Sequence, residues 1–352
     1  LRVNRFWVDD NEDEIALLER EINHNIQKRQ KELELTIALT NYCNFSCVYC
    51  YQNKNEKLMT TEVANMIIEK IDRILNDNIF EGINIHYFGG EPLLNIPVLI
   101  YLDENIKKIT DKIGIVYKAF LTTNGSMLSK ELLQKVKFSS IQLTFDGLEK
   151  THDRLRVSDH FHFKEEIELI ENIMNFSQAK VLLRTNICKE NKDEIIALHK
   201  YIFEKFGNER IEINPNRTIK YHQDDSFEML SVQEYAEVAY QIKLLWSEQK
   251  GKFELPVPRS TPCKFPYGNA YAISPEGYCT FCSGSMDQEK KYFFDVDIEN
   301  KKMFSVRKEC KKCNILPLCL GGCIIQYNLR AGACTYEKYE LKNILISYIK
   351  HI

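Results

Sequence analysis

Cys43-Asn44-Phe45-Ser46-Cys47-Val48-Tyr49-Cys50 decides how the rest of this sequence is read. Three cysteines fall within these eight residues, spaced C-x3-C-x2-C. Thiolates are soft donors that suit zinc and iron–sulfur clusters. A cubane [4Fe–4S] cluster takes four cysteines, one on each iron. With only three nearby, one iron would stay open to a small molecule. A zinc knuckle or three spare thiols are the plainer alternatives.

Working outward, LELTIALT (33–40) runs into this loop as a strand, and a strand–polar end–helix pattern then repeats. Further strands are expected at 82–88, 116–123, 140–145, 179–187 and 210–216. Helices are expected at 60–77, 96–113, 129–136, 163–176, 193–206 and 231–249. Six strand–helix units in a row require a parallel sheet with right-handed crossovers. The strands read as short apolar runs, as in a sheet covered on both faces. The expected class is α/β, a partial (β/α)6 TIM-like barrel over residues 33–250. Chemistry in barrels sits at the carboxyl ends of the strands, and the polar motifs below all fall there. Residues 1–32 form an N-terminal extension. Within it, 11–31 reads as an amphipathic helix packed on the barrel through Ile15, Leu18 and Ile22, and Val3, Phe6, Trp7 and Val8 could make a short strand.

At 352 residues the chain is long enough for two domains. A formal net charge of −3 gives no basic field to hold nucleic acid. No apolar run approaches the roughly 20 residues of a membrane span, and the start has no signal-peptide pattern, so a cytoplasmic protein is expected. Twelve cysteines in a reducing compartment read as metal ligands or catalytic thiols, not disulfides. Six of the nine prolines and eight of the twelve cysteines lie beyond residue 255. Residues 251–340 therefore read as a separate, loop-rich domain that metal binding helps to fold. A helix at 337–350 closes the chain, its end (341–352) lying beyond that domain.

Gly89-Gly90-Glu91-Pro92 ends the second strand. Its glycines permit close backbone approach, and Glu91 is expected to face the barrel mouth and accept from an ammonium group. Thr122-Thr123-Asn124-Gly125 ends the third, where Asn124 offers a donor and an acceptor to a ribose or substrate. Gln142, Thr144 and Asp146 alternate and share one face of the fourth. His152 and Asp153 read as loop-structuring. Arg184 and Asn186 lie at i, i+2 on the fifth strand, where an inward Arg forks onto a carboxylate or makes a structural ion pair. Cys188 follows near the mouth, either as a hydrogen-atom donor or as a small buried apolar residue.

The triplet, Tyr49 before its third cysteine, the GGEP turn and the Gln142–Asp146 segment with His152-Asp153 together resemble the radical S-adenosylmethionine (SAM) family. That resemblance implies a cluster on Cys43, Cys47 and Cys50, with the amino and carboxylate groups of SAM on the open iron. One electron would then cleave SAM to a 5′-deoxyadenosyl radical, which takes a hydrogen atom from the substrate. It implies SAM contacts from Tyr49, Gly89, Gly90, Glu91, Asn124, Thr144, Asp146 and Arg184, with Thr144 standing where Ser is commoner. The C-terminal cysteines resemble the SPASM domain of the same family. Cys263 precedes Gly277-x4-Cys282, followed by Cys310-x2-Cys313-x5-Cys319-x3-Cys323 and Cys334.

Two auxiliary [4Fe–4S] clusters are implied, making three in all. Cys263, Cys282 and Cys323 would serve the first, with Cys279 as a possible fourth ligand; Cys310, Cys313, Cys319 and Cys334 would serve the second. Two zinc sites are the alternative. Enzymes of this type mostly modify peptides. The implied partners are a precursor peptide and an electron donor such as flavodoxin or ferredoxin, and the implied reaction is an oxidative side-chain crosslink. The alternatives are an epimerase using Cys188, a formylglycine-forming sulfatase-type maturase, or a zinc-bound scaffold. Ser283 stands where that maturase pattern has Asp. Tyr221, His222, Asp224 and Asp225 could reach the mouth or form a solvated loop. The N-terminal extension is too short for the usual peptide-recognition domain of such enzymes.

Overall fold

A computed structural model describes residues 12–77, 80–207, 209–220, 227–251, 253, 255–280, 282–284, 291–296, 303–323 and 334–351. The strand expected through Val3 and Trp7 lies outside these. The elements run α1 (Glu14–Arg29), β1 (Glu32–Ala38), α2 (Thr61–Asp77), β2 (Gly82–Phe88), α3 (Ile96–Ile113), β3 (Val116–Thr122), α4 (Lys130–Lys135), β4 (Phe138–Thr144), α5 (Glu149–Leu155), α6 (Phe163–Phe176), β5 (Lys180–Ile187), α7 (Ile195–Phe206), β6 (Ile211–Arg217) and α8 (Val232–Lys250). Then come α9 (Lys264–Tyr267), β7 (Ala270–Ile273), β8 (Tyr278–Thr280), β9 (Lys291–Tyr292), α10 (Leu316–Cys319) and α11 (Glu337–His351).

The sheet order is β6-β5-β4-β3-β2-β1-β7-β8-β9. Strands β1 to β6 are parallel in succession, as six strand–helix units require. The strands alternate instead of being apolar throughout. Leu33, Leu35 and Ile37, Ile83 and Ile85, and Val181 and Leu183 are buried in the main core, with Ile67 and Ile71 of α2 and Leu99 and Leu102 of α3. Glu34, Asn84, His86, Thr122, Gln142 and Lys264 instead line a cavity of about 280 Å³. An inner face that borders a cavity keeps polar groups that a fully packed sheet would exclude.

Three features differ from expectation. The segment with His152 and Asp153 is a helix, α5, and His152 is 1% exposed between the rings of Phe145 and Phe163. Asp153 accepts from Phe163 N–H at 2.8 Å, which ties α5 to α6. Helix α1 packs on the C-terminal segment: Ile22 and Ile26 cluster with Phe304, Val306, Leu316 and Leu320, with Cys310 and Cys313 against them. Asn23 both donates to Phe304 O (2.9 Å) and accepts from Phe304 N–H (2.8 Å). The third feature is that β7 joins β1 in parallel, Glu34 opposite Ala270 to Ile37 opposite Ile273. Residue 251 thus marks a change of composition, while the sheet runs on beyond it.

Candidate active site

The cysteine loop leaves β1 and is fastened along both sides. From the end of β2, Gly90 N–H donates to Thr40 O (2.8 Å) and Glu91 N–H to Tyr42 O (2.9 Å). A Cβ on Gly90 would stand 2.2 Å from Tyr42 O, and one on Gly89 2.3 Å from Thr40 O. The two glycines are therefore demanded by the backbone of the loop itself. On the other side Ser46 N–H donates to Val157 O (2.8 Å) and Val48 N–H to Leu155 O (3.0 Å). The Gln52 amide donates to Gly89 O at 2.9 Å, and the Lys54 ammonium donates to Phe45 O.

Glu91 points inward, not into the mouth. It is 0% exposed. One carboxylate oxygen accepts from Leu93 N–H (3.0 Å) and Thr123 Oγ1 (2.6 Å), and the other from Asn124 N–H (2.7 Å). Burial raises its pKa, against these three donors, which favour the charged form. Asn124, 7% exposed, is held in turn: its amide donates to Asn44 Oδ1 at 2.8 Å and lies 3.9 Å from Cys43 Sγ. Glu91 and Asn124 thus connect the ends of β2 and β3 to the cysteine loop.

Asp146 is 0% exposed at the end of β4. It accepts from the Tyr49 hydroxyl and, at 2.7 Å, from Asn186 N–H. Burial raises its pKa, opposed chiefly by the Arg156 charge. Burial also raises that of Tyr49, with Asp146 adding to the effect. Thr144 lies opposite Arg184 across β4 and β5. Arg184 Nε donates to Asn186 Oδ1 at 2.9 Å; its terminal nitrogens have no hydrogen-bond partner among the described residues. Tyr49, Thr144, Asp146, Arg184 and Asn186 therefore meet at the carboxyl ends of β4 and β5.

Sequence reasoning missed three residues here. Asn191 is fully buried and donates to Asp146 O (2.7 Å) and Asn186 O (2.8 Å). Arg156, 6% exposed, and Glu166, 0% exposed, stand behind the loop. Nothing in local spacing announces a buried charge, and Arg156 looks like any cation after a short polar helix. Burial pushes Glu166 up to about 8 and holds His152 well below its ordinary range. With the imidazole held uncharged, their 3.4 Å contact is not an ion pair.

Cys188 is 0% exposed and clusters with Leu155 and Phe227, with Val48 and Tyr49 against it. Burial raises its pKa. This corrects its expected place at the mouth: the thiol is shielded beneath the cysteine loop, as a small apolar residue would be. Tyr221, His222, Asp224 and Asp225 lie outside the described residues.

The remaining cysteines sort by proximity. Cys43, Cys47 and Cys50 lie within one another's electrostatic reach. Burial pushes Cys47 up to about 12, partly opposed by Arg156. Cys282 feels Cys263 and Cys323, and Cys319 feels Cys313 and Cys310. The latter three, Cys334 and also Cys323 of the first group line a cavity of about 670 Å³. Cys279 stands apart on β8 in the main core, and burial pushes it up to about 12. Its side chain packs in that core, whereas the fourth-ligand expectation requires it to reach the Cys263 group.

Among the described residues no three His, Cys, Asp or Glu side chains converge on one metal-ion position. A cubane does not ask for that, because each cysteine binds a different iron. Local geometry suits thiolate ligands. The amide two residues on donates to the sulfur at Cys43 (3.4 Å), Cys282 (3.3 Å) and Cys319 (3.4 Å), and Phe265 does so for Cys263. Such N–H···S bonds stabilise a charged sulfur and fix its direction.

Residues 37–202 match the family model described as the radical SAM superfamily. This stretch is a radical SAM domain. Its match begins within β1 and ends within α7, so it contains the triplet and every strand end up to β5. The radical SAM cyclopropyl synthase TigE of Paramaledivibacter caminithermalis is 24% identical over 93% of this chain and 76% of its own length. The chain spans only 39% of a Methanocaldococcus jannaschii protein that is 34% identical, and 53% of a 31% identical GTP 3′,8-cyclase of Helicobacter pylori.

Among solved structures, anSMEcpe with bound AdoMet and Cp18Cys peptide superposes with a TM-score of 0.71 at 17% identity, covering 91% of this chain and 100% of that one. Streptococcus suis SuiB bound to its precursor peptide SuiA gives 0.61 at 17% identity, covering 96% and 84%. At these identities the likeness concerns the fold, and it covers more of the chain than the matched stretch does. No helix among the described residues is long and apolar enough to cross a membrane.

Proposed function

We propose that this chain is a radical SAM peptide maturase that joins two side chains of a ribosomally made precursor peptide through a thioether, C–C or C–O bond. The observation that carries the reading is the gathering of Cys43, Cys47 and Cys50 at the carboxyl end of a parallel sheet, beside inward polar groups from β4 and β5. Cys43, Cys47 and Cys50 would hold a [4Fe–4S] cluster, which with SAM would supply the chemistry of hydrogen-atom abstraction.

The chain's own residues bind and orient. Arg184, with its terminal nitrogens available and Thr144 opposite, takes the methionyl carboxylate. Gly89 and Gly90 carry the backbone beside the cysteine loop, where the amino group is held. Tyr49 and Asp146 wall the site, and Glu91 and Asn124 act through the loop they brace. Cys263, Cys282 and Cys323 form one further cluster site, and Cys310, Cys313, Cys319 and Cys334 another. Joining two side chains removes two hydrogens, one as an atom and the other as a proton, and clusters held at the C-terminal sites would take up the electron left over. A flavodoxin or ferredoxin supplies the electron that starts the reaction.

The printed names of similar proteins support a peptide substrate: SuiB is bound to a precursor peptide, anSMEcpe to a peptide and AdoMet, and TigE is a cyclopropyl synthase. The deciding experiment is anaerobic purification with iron, sulfide and zinc analysis, then mass spectrometry of a co-expressed precursor peptide. Iron with sulfide, 5′-deoxyadenosine and a peptide lighter by two hydrogens are expected. Zinc without sulfide would sink the reading, and an unchanged mass with deuterium uptake would replace crosslinking by epimerisation.

A further inference from the structure

Arg156 is almost fully buried yet poorly paired. Its hydrogen bonds are long, 3.4 Å to the Tyr49 hydroxyl and 3.5 Å to Glu166 Oε1. Its guanidinium lies 5.3 Å from the centre of the Phe45 ring. Its Nε has no hydrogen-bond partner among the described residues. Arginine stays charged in proteins, and a buried charge is strongly unfavourable without an opposite one. Glu166 pairs with it through a single oxygen at 3.5 Å, at the far limit of a hydrogen bond. Asp146 is shared with Tyr49 and Asn186. The remaining groups in reach are the thiol of Cys47 and the loop that carries it.

The backbone points the same way. Leu155 and Val157, on either side of Arg156, accept the N–H groups of Val48 and Ser46. Arg156 thus sits in the middle of a short ladder against the cysteine loop, and Phe45 and Tyr49 bracket its side chain. A guanidinium placed there needs an anion from the loop side, and thiolates bearing an iron–sulfur cluster are net anionic. Net charge and burial around a cluster are among the factors that set its reduction potential.

We propose that Arg156 is a positioning residue for the centre on Cys43, Cys47 and Cys50, holding the loop through Phe45 and Tyr49 while its charge raises that cluster's reduction potential. This rests on the radical SAM reading and adds to it a group outside the ligand set. The step it tunes is uptake of one electron from an external reductant, which a positive charge in a low-dielectric site favours.

The test uses full-length protein reconstituted anaerobically with iron and sulfide, as wild type, Arg156→Lys and Arg156→Met. The readout is a redox titration followed by EPR, reading the reduced signal that changes on adding SAM, together with iron and sulfide content. Arg156→Met is expected to titrate at a more negative potential than wild type, with Arg156→Lys recovering most of the difference. If Arg156→Met loses the SAM-responsive signal, its return in Arg156→Lys supports the proposal. An unshifted potential in Arg156→Met, or a signal absent from both variants, overturns it. The radical SAM reading fails separately, through a wild-type protein that shows no SAM-responsive signal.

Discussion

Glu91 gives the sharpest test of how the site is built. In Glu91→Gln the amide oxygen keeps Leu93 N–H and Thr123 Oγ1, now 3.0 and 2.6 Å from a carboxylate oxygen. The amide nitrogen, however, faces Asn124 N–H, which donates at 2.7 Å in the native chain. Two donors then oppose each other in a region closed to water. A hydrogen bond to a charged group contributes about 1.5–3 kcal/mol, and a stranded buried donor costs about 1–3 kcal/mol. A loss of about 3 kcal/mol follows, or a fall in melting temperature of about 5–10 °C for the barrel. Because Asn124 also reaches Asn44 and Cys43, the cysteine loop should loosen as well. Thermal melting by circular dichroism and SAM binding by calorimetry should fall together. Unchanged melting would refute the buried-bridge reasoning. Weakened SAM binding at unchanged stability would instead put the carboxylate on the ligand.

Three other outcomes follow from the same geometry. Cys188→Ala should cost about 1 kcal/mol, as a small core truncation does, and should leave SAM cleavage and peptide modification intact; a reaction stalled after hydrogen abstraction would restore the thiol as a hydrogen donor. Cys279→Ser should lower stability while iron content stays at the wild-type level, whereas Cys263→Ser should lose iron; equal losses would place Cys279 in the cluster site. His86 is pushed down to about 4 by burial and the nearby Lys264 charge, and its ring bonds Thr122 Oγ1 at 2.7 Å. Below its ordinary value only the unfolded chain takes up the proton, so stability present above pH 6.5 is lost as pH falls towards 4, by up to about 3 kcal/mol. His86→Gln should flatten urea-melting midpoints over that window, and an unaltered slope would contradict it.

What the sequence determined by itself was periodic or closely spaced. Strands 82–88 and helices 96–113 and 163–176 are found as read, and the other expected barrel elements begin and end within two residues of expectation, α5 alone being unforeseen among the barrel helices. Alternating apolar residues report the face that packs on helices, and side-chain period is a local property of the backbone. The C-x3-C-x2-C loop was legible because its cysteines are neighbours in the chain, and so were the polar strand ends, because parallel strands bring their carboxyl ends to one rim.

Only the tertiary structure decided which polar groups face a ligand and which brace the fold. Glu91 and Arg156 look alike in sequence to any exposed charge, and their burial depends on elements far along the chain that close over them. The attachment of α1 to the C-terminal segment and the joining of β7 to β1 have the same origin: each is a contact between residues more than two hundred positions apart. The cysteine loop is therefore written in its own eight residues, while the setting that holds it, from Gly90 on one side to Arg156 on the other, comes from long-range packing.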